Sequence, residues 1–351
     1  MAETLLRPVQ PEPFLQGCAW PAGSGVSYPR CDPGPGGLRL PEDTRRAAAL
    51  PVGVRFRFVG EPESLKVEYR TETADLGYRG PGAGTRFVLF RGERRVDAAP
   101  AELGRAAATL RVGPGAAPAT LYLPEGMRPT VLSLRPTGGT IRPAPRQPRW
   151  LCYGDSIAEG WCASEPAAAW PHQVARACDL DVVNLGYAGA ARGEIPSAQE
   201  IASLPADLIT VAHGTNCWTR TPASAALFGA SLAAFLETIR GGHPDTPIVA
   251  ISPILRSDAE TVPNALGARL SDLREVFEAT VRERQDRGDT QLHLVPGRDL
   301  IGAVRLPDGI HPDDAGHTEM ARQLGPVHAA ALSGEAPQCA PETSDSCGAA
   351  Q

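Results

Sequence analysis

The stretch "WLCYGDSIAEGW", residues 150–161, runs from an apolar segment into Gly154-Asp155-Ser156. A small polar triplet that stops a buried strand is either a tight turn into a helix or a serine held up as a nucleophile. The second reading needs partners elsewhere in the chain. A serine hydroxyl attacks poorly until a base takes its proton. His311 suits that role, because an imidazole titrates at about 6.5 and is free to accept at neutral pH. Asp308 stands three residues before it. Within one loop it can hold the second ring nitrogen, fix the tautomer and stabilise the imidazolium. Attack on an acyl ester also builds negative charge on the carbonyl oxygen, which calls for donors already in place. The backbone N–H of Ser156, the backbone N–H of Gly189 and the side-chain amide of Asn216 are candidates, with Gly186 and Gly193 competing for the glycine's part.

These residues are far apart in sequence, so regular elements must bring them together. After Trp150 the pattern alternates between short apolar runs and helix-period segments. Strands are expected at 150–153, 181–185, 206–213, 246–252 and 291–296. One helix is expected within 264–287, with Leu266, Leu270, Leu273, Phe277 and Val281 on one face. Another is expected to open at Thr221-Pro222 and to bury Leu227, Phe228, Leu232, Phe235 and Ile239. Alternating β and α segments imply a parallel sheet with right-handed crossovers. Ligands of such sheets bind beyond the carboxyl ends of the strands. Ser156, the Gly186–Gly189 loop, Asn216 and the Asp308–His311 loop each follow a strand, so the sheet would set them on one rim.

The first 145 residues read differently. "VGVRFRFVG", "SLKVEYRTE", "TRFVLFRGE", "ATLRVG", "ATLYLP" and "TVLSLRP" alternate with period two and are separated by Gly, Pro and charged turns. They imply a β-sandwich similar to a carbohydrate-binding module, with no amphipathic helix among the strands. Residues 135–150, rich in Pro and Gly, are the expected junction; 146–332 would form the α/β domain and 333–351 a disordered tail.

Four blocks in order resemble the SGNH, or GDSL-type, hydrolase family: Gly154-Asp155-Ser156-Ile157, "VVNLGYAG", Gly214-Thr215-Asn216 and Asp308-Gly309-Ile310-His311-Pro312. The resemblance implies a flavodoxin-like three-layer α/β/α domain with a parallel sheet, preceded by the sandwich. It also implies acyl-ester chemistry with no metal and no cofactor. It favours Gly189 over Gly186 as the oxyanion glycine. Cys217 departs from the pattern, since many members carry Asp after the Asn. The two-domain layout is similar to that of carbohydrate esterases and of actinobacterial acyltransferases of polyketide pathways, and "GTNCW" followed by "TRTP" looks closest to the latter.

Composition narrows the rest. A net charge of −6 and a pI near 5.7 argue against a nucleic-acid binder. No run approaches a membrane span, and "MAETLLRPVQPEPF" is not a signal sequence, so a cytoplasmic protein is expected. The eight cysteines lack metal-site spacing. Cys18 with Cys31 is the pair to check for a disulfide if the protein is exported. "GYAGAARG" lacks the G-x-G-x-x-G of a dinucleotide loop. His213 reads as a packed histidine, His317 as an anchor of the final helix, and Arg192 and Glu194 as solvated loop charges or substrate contacts. Trp161 and Trp218 follow catalytic blocks and, with Arg192, are candidate pocket residues.

The expected function is a serine esterase working through an acyl-enzyme on Ser156. An acyltransferase that delivers the acyl group to an alcohol of a polyketide or sugar acceptor is the alternative. The catalytic residues are common to both, and an acceptor pocket that excludes water would favour transfer. In a third reading the sandwich binds glycans and the α/β domain is vestigial, which glycan binding without turnover would reveal. The expected partner is a small-molecule acyl ester, glycosylated or polyketide-derived among the candidates.

Overall fold

Period-two alternation becomes antiparallel sheet, and the β-then-α rhythm becomes parallel sheet. The computed structural model describes residues 8–20, 27–74 and 84–334. The expected tail beyond residue 334, with Cys339 and Cys347, lies outside the described residues. The chain runs β1 (Leu15–Gln16), α1 (Glu42–Ala48), β2 (Arg55–Val59), β3 (Ser64–Thr71), β4 (Arg86–Arg91), β5 (Arg94–Pro100), β6 (Gly104–Arg111), β7 (Ala119–Tyr122), β8 (Thr130–Thr137) and β9 (Arg142–Pro143). It continues through β10 (Arg149–Gly154), α2 (Ser156–Glu159), α3 (Trp170–Ala177), β11 (Asp181–Gly186), α4 (Ile195–Ser203), β12 (Leu208–Ala212), α5 (Asn216–Thr219), α6 (Ala225–Gly242), β13 (Ile248–Ile251), α7 (Leu270–Asp286), β14 (Leu292–Val295) and α8 (Asp314–Ser333).

The antiparallel strands form two sheets, β1-β2-β7-β4-β5 with β9 on β2, and β6-β3-β8. In β3 the buried side chains are Leu65, Val67, Tyr69 and Thr71, every second residue, and the first three meet Phe56, Phe58, Phe87 and Leu121 in one core. β5 escapes the alternation pattern because its sequence RRVDAAP is charged and ends in proline, as suits an edge strand. α1 was not expected either. It is a seven-residue helix, too short to show a full apolar stripe.

The parallel sheet has the order β11-β10-β12-β13-β14. β10, β11 and β13 are buried on both faces, which is why they read as apolar runs without alternation. Leu151 and Tyr153 of β10 face the core shared with α4, α6 and α7, while Trp150 and Cys152 face α3 and α8. The chain reverses direction of winding beside β10, the position where doubly wound sheets open a crevice.

Helix starts differ from expectation. α6 begins at Ala225, because the Ser224 hydroxyl caps it by accepting from the Leu227 N–H at 3.2 Å. Leu227 faces outward at 55% exposure, whereas Phe228, Leu232, Phe235 and Ile239 are buried. Leu266 is equally exposed, since Asn264 Oδ1 accepts from the N–H groups of Leu266 and Ala268 and holds a turn ahead of α7.

The segment before β2 is built into the α/β layer. Cys31, Leu40 and Ala48 join the core of β10 and β11, and Arg55 of β2 donates to the Val182 carbonyl at 2.9 Å and pairs with Asp181 at 2.9 Å. Cys18 and Cys31 are unpaired thiols; Cys18 donates to the Trp20 carbonyl and Cys31 sits in that core. Among the described residues no helix is long and apolar enough to cross a membrane.

Two buried histidines make this core sensitive to acid. His213 lies among the rings of Tyr153, Phe228, Phe235 and Phe277, and burial pushes its pKa down to about 4. His328 donates from Nδ1 to the Leu324 carbonyl and accepts at Nε2 from Thr210, and burial pushes it down to about 4 as well. The unfolded chain takes up these protons from about pH 6.5, the fold only near 4. The resulting stability is complete above pH 6.5 and lost as the pH falls towards 4, on the order of 3 kcal/mol per histidine. Calorimetry from pH 7 to 4.5 should show a falling Tm whose slope is reduced in His213→Leu. An equal slope in wild type and variant would contradict this.

Candidate active site

β10 stops where the backbone must crowd. A Cβ on Gly154 would meet the Ala212 carbonyl oxygen at 2.4 Å and the Ala158 side chain at 2.6 Å, so only glycine lets α2 start this close to β12. Asp155 then caps α2, its Oδ1 accepting from the Ile157 N–H at 3.0 Å. Burial pushes the Asp155 carboxyl up to about 6, against the N–H groups of Ile157 and Thr215. Ser156 is the first residue of α2. Its N–H is one of the first-turn donors that a helix leaves unused.

His311 reaches Ser156 from the loop before α8. Its Nε2 lies 2.8 Å from Ser156 Oγ and its Nδ1 2.6 Å from Asp308 Oδ2. A carboxylate only accepts, so Nδ1 carries the proton and Nε2 is left to take one from the serine. The aspartate is clasped by its own loop: Oδ1 accepts from the N–H groups of Ile310 at 2.9 Å and His311 at 2.7 Å. Burial pushes the Asp308 carboxyl up, but hydrogen bonds from the His311 ring and from these N–H groups outweigh it, and the net shift is downward. Burial lowers the His311 pKa below 6.5, with Asp308 opposing.

Three glycines competed for the second donor, and the structure distinguishes them. Gly186 gives its N–H to Asn184 Oδ1 at 2.8 Å, and a Cβ there would strike the Glu159 nitrogen at 2.4 Å. Gly193 gives its N–H to the Tyr153 hydroxyl at 3.0 Å and lies against His213. Gly189 adopts φ +70° at the tip of the loop, and its N–H has no hydrogen-bond partner among the described residues. Asn216 opens α5 and donates from Nδ2 to the Ala191 carbonyl at 3.0 Å, which orients its amide and leaves the second N–H. Cys217 is buried beside it, its thiol 3.7 Å from the Arg192 carbonyl.

A support for this loop was not foreseen. Glu159 accepts from the Ala188 N–H through Oε2 at 2.8 Å and pairs through Oε1 with Arg30 at 2.8 Å. Arg30 also donates to the carbonyls of Leu50, Ala47 and Gly186. Arg30 and Glu159 are 129 residues apart, so no local pattern links them. The only signal was a lone Glu just after the Ser156 block.

The pocket candidates separate. Trp161 lies with its ring centroid 5.8 Å from that of His311 and packs on Leu50 and Val52. It lines a cavity of about 560 Å³ together with Leu50, Arg128, Ala188, Gly189 and Arg220. Arg192 is outside that lining; its guanidinium pairs with Asp43, which does line it, through bonds of 2.7 and 3.1 Å. Trp218 is also outside it; its indole N–H donates to the Val262 carbonyl and its ring carries Arg256 at 4.7 Å. Glu194 is an internal anchor, accepting from Tyr153, Thr44 and Ser197. His317 accepts the Trp170 N–H and lies 3.2 Å from the Trp161 carbonyl, tying α8 to the segment after α2. Cys162, Asp308 and His311 place ligand atoms within 4.8 Å of one another. A metal could use this spacing only by taking a His311 nitrogen from Asp308 or Ser156.

With this geometry described, the likenesses to known proteins fall into place. Residues 152–318 match the model of the GDSL-like lipase/acylhydrolase family. The salicylyl-acyltransferase SsfX3 of a tetracycline biosynthetic pathway superposes with a TM-score of 0.80 at 25% identity, covering 93% of this chain and 97% of that one. A structure described as a GDSL-like lipase from Bacteroides ovatus gives 0.78 at 20% identity, over 93% and 98%. A family two carbohydrate esterase from Cellvibrio japonicus gives 0.56 at 17%, over 80% and 89%. The last two speak for the fold alone. No curated protein matches the chain in sequence. Residues 152–318 are thus a GDSL-like lipase/acylhydrolase domain, and the protein is an SGNH-type enzyme of ester hydrolysis or acyl transfer.

Proposed function

We propose that the protein is a serine esterase that forms an acyl-enzyme on Ser156. The observation that carries this reading is the continuous relay from Ser156 Oγ through His311 to Asp308, at 2.8 and 2.6 Å. As Oγ bonds to the ester carbonyl, its proton passes to Nε2, and Asp308 stabilises the imidazolium. The alcohol leaves with that proton. Water then attacks the acyl-enzyme by the same route, giving its proton to His311 and releasing the acid and free Ser156. The N–H groups of Ser156 and Gly189 and the amide of Asn216 hold the negative carbonyl oxygen. Asn216→Ala is expected to lower kcat by about 10²–10³-fold, roughly 3–4 kcal/mol of barrier, with little change in KM. A loss confined to KM would assign Asn216 to ground-state binding instead.

A second reading has a specific observation behind it. The likeness to the salicylyl-acyltransferase spans nearly the whole chain, and the cavity beside Gly189 is walled partly by Arg128 from the antiparallel side. In this reading the cavity seats an alcohol, of a polyketide or sugar type, that takes the place of water. The test is turnover of p-nitrophenyl acetate and butyrate with and without sugar and polyol acceptors, with products identified by mass. Free acid as the sole product supports the esterase. New ester at the expense of acid supports transfer. Absence of turnover with these and longer esters would overturn both.

A further inference from the structure

The cavity beside Gly189 has a charge pattern that ester chemistry alone does not require. Five charged residues line it: Asp43, Arg46, Arg128, Glu159 and Arg220. Asp43 is neutralised by Arg192 at 2.7 Å and Glu159 by Arg30 at 2.8 Å, and neither arginine is in the lining. Arg46 pairs with Glu42 at 2.8 Å on the open surface. Arg128 and Arg220 have no acidic partner among the described residues, and the Nε of Arg128 is buried with no hydrogen-bond acceptor.

Both positions are specific. Arg128 sits at φ +49°, a left-handed conformation that most residues avoid, at the end of the turn Glu125–Met127. That turn carries it from the antiparallel side to the cavity. Arg220 follows α5, and its Nε lies 3.8 Å from where a side chain on Gly189 would begin. The protein carries −6 overall, so an anion gains nothing from its net charge. Two uncompensated guanidiniums facing one partly enclosed space reverse the sign locally. Guanidinium matches carboxylate and phosphate by paired N–H donors.

We infer that the ester handled at Ser156 carries an anionic group, carboxylate or phosphate, which Arg128 and Arg220 bind in this cavity. The inference rests on the acyl-ester reading of the site. The anion belongs either to the acyl part or to the leaving alcohol, and matched ester pairs separate these sources.

The experiment is calorimetric binding to Ser156→Ala protein, which holds esters intact. One pair is mono-p-nitrophenyl glutarate against p-nitrophenyl butyrate, for an acyl-side anion. The other is 4-acetoxybenzoate against its methyl ester, for a leaving-group anion. In at least one pair the charged member should bind ten-fold tighter or more, and 0.5 M NaCl should shrink that advantage. Adding Arg220→Gln should cut the advantage several-fold, and Arg128→Gln with Arg220→Gln should bring it below three-fold. Arg220 is exposed, so its single variant keeps the test readable if the double variant does not fold. Equal binding within both pairs, or an advantage that survives both substitutions, overturns the inference. Equal turnover by wild type and Ser156→Ala, measured first, would instead overturn the acyl-enzyme reading and with it the inference that rests on it.

Discussion

Ser156→Ala is expected to lower kcat for p-nitrophenyl butyrate by about 10⁴–10⁶-fold while leaving the fold intact. The oxygen removed is the one aligned with His311 Nε2 at 2.8 Å. Among the described residues no other hydroxyl bonds to His311 Nε2, and the Cys162 thiol nearby is a poor substitute: burial and Asp308 push its pKa up to about 11. The variant keeps the donors of the oxyanion site, so a residual rate above that in water remains. Alanine is well tolerated at the first position of a helix, and the lost side chain removes one hydrogen bond, so Tm should move by only a few degrees. Steady-state kinetics and a thermal melt on the same preparation give both numbers. Retention of more than a tenth of wild-type turnover would rule Ser156 out as the nucleophile.

Asp308→Asn should cost about 10⁴-fold in kcat with similar substrate affinity. The amide can donate to His311 Nδ1, which forces the ring proton onto Nε2, where it faces the serine and blocks proton uptake. The carboxylate's two N–H contacts, from Ile310 and His311, are served by the amide oxygen at the same place, so the loop should keep its shape. The pH profile checks the cause. In wild type, burial sets the His311 pKa below 6.5 and Asp308 opposes that shift. A protonated imidazole cannot accept from Ser156. The acid limb of kcat/KM should therefore lie below pH 6.5, with activity lost as pH falls through it. In Asp308→Asn the opposing charge is gone, so the limb moves lower still. A wild-type limb above 6.5, or a limb unmoved in the variant, would contradict this account. Melts at each pH separate the loss of activity from the acid instability caused by His213 and His328.

The parallel sheet was legible from sequence because strands such as β10, β11 and β13 are buried on both faces and read as unbroken apolar runs between polar loops. Once those strands are parallel, their carboxyl ends share a rim, and Ser156, Asn216 and His311 follow from that geometry with little else. The Asp308-to-His311 contact was legible for a simpler reason: three residues in one loop suffice to reach the ring. The tertiary structure decided what depends on partners distant in sequence. Gly186, Gly189 and Gly193 look alike in a sequence, and only the folded loop shows that two of them spend their N–H groups on Asn184 and Tyr153. Arg192 carries the same charge as Arg128 and Arg220, yet Asp43, 149 residues away, already pairs with it. Arg30 and Glu159 meet across 129 residues beneath the loop that carries Gly189. Hydrophobic periodicity records which face of an element is buried. It does not record which charge or N–H is already satisfied, because that is set by the approach of chain segments whose spacing in sequence carries no period.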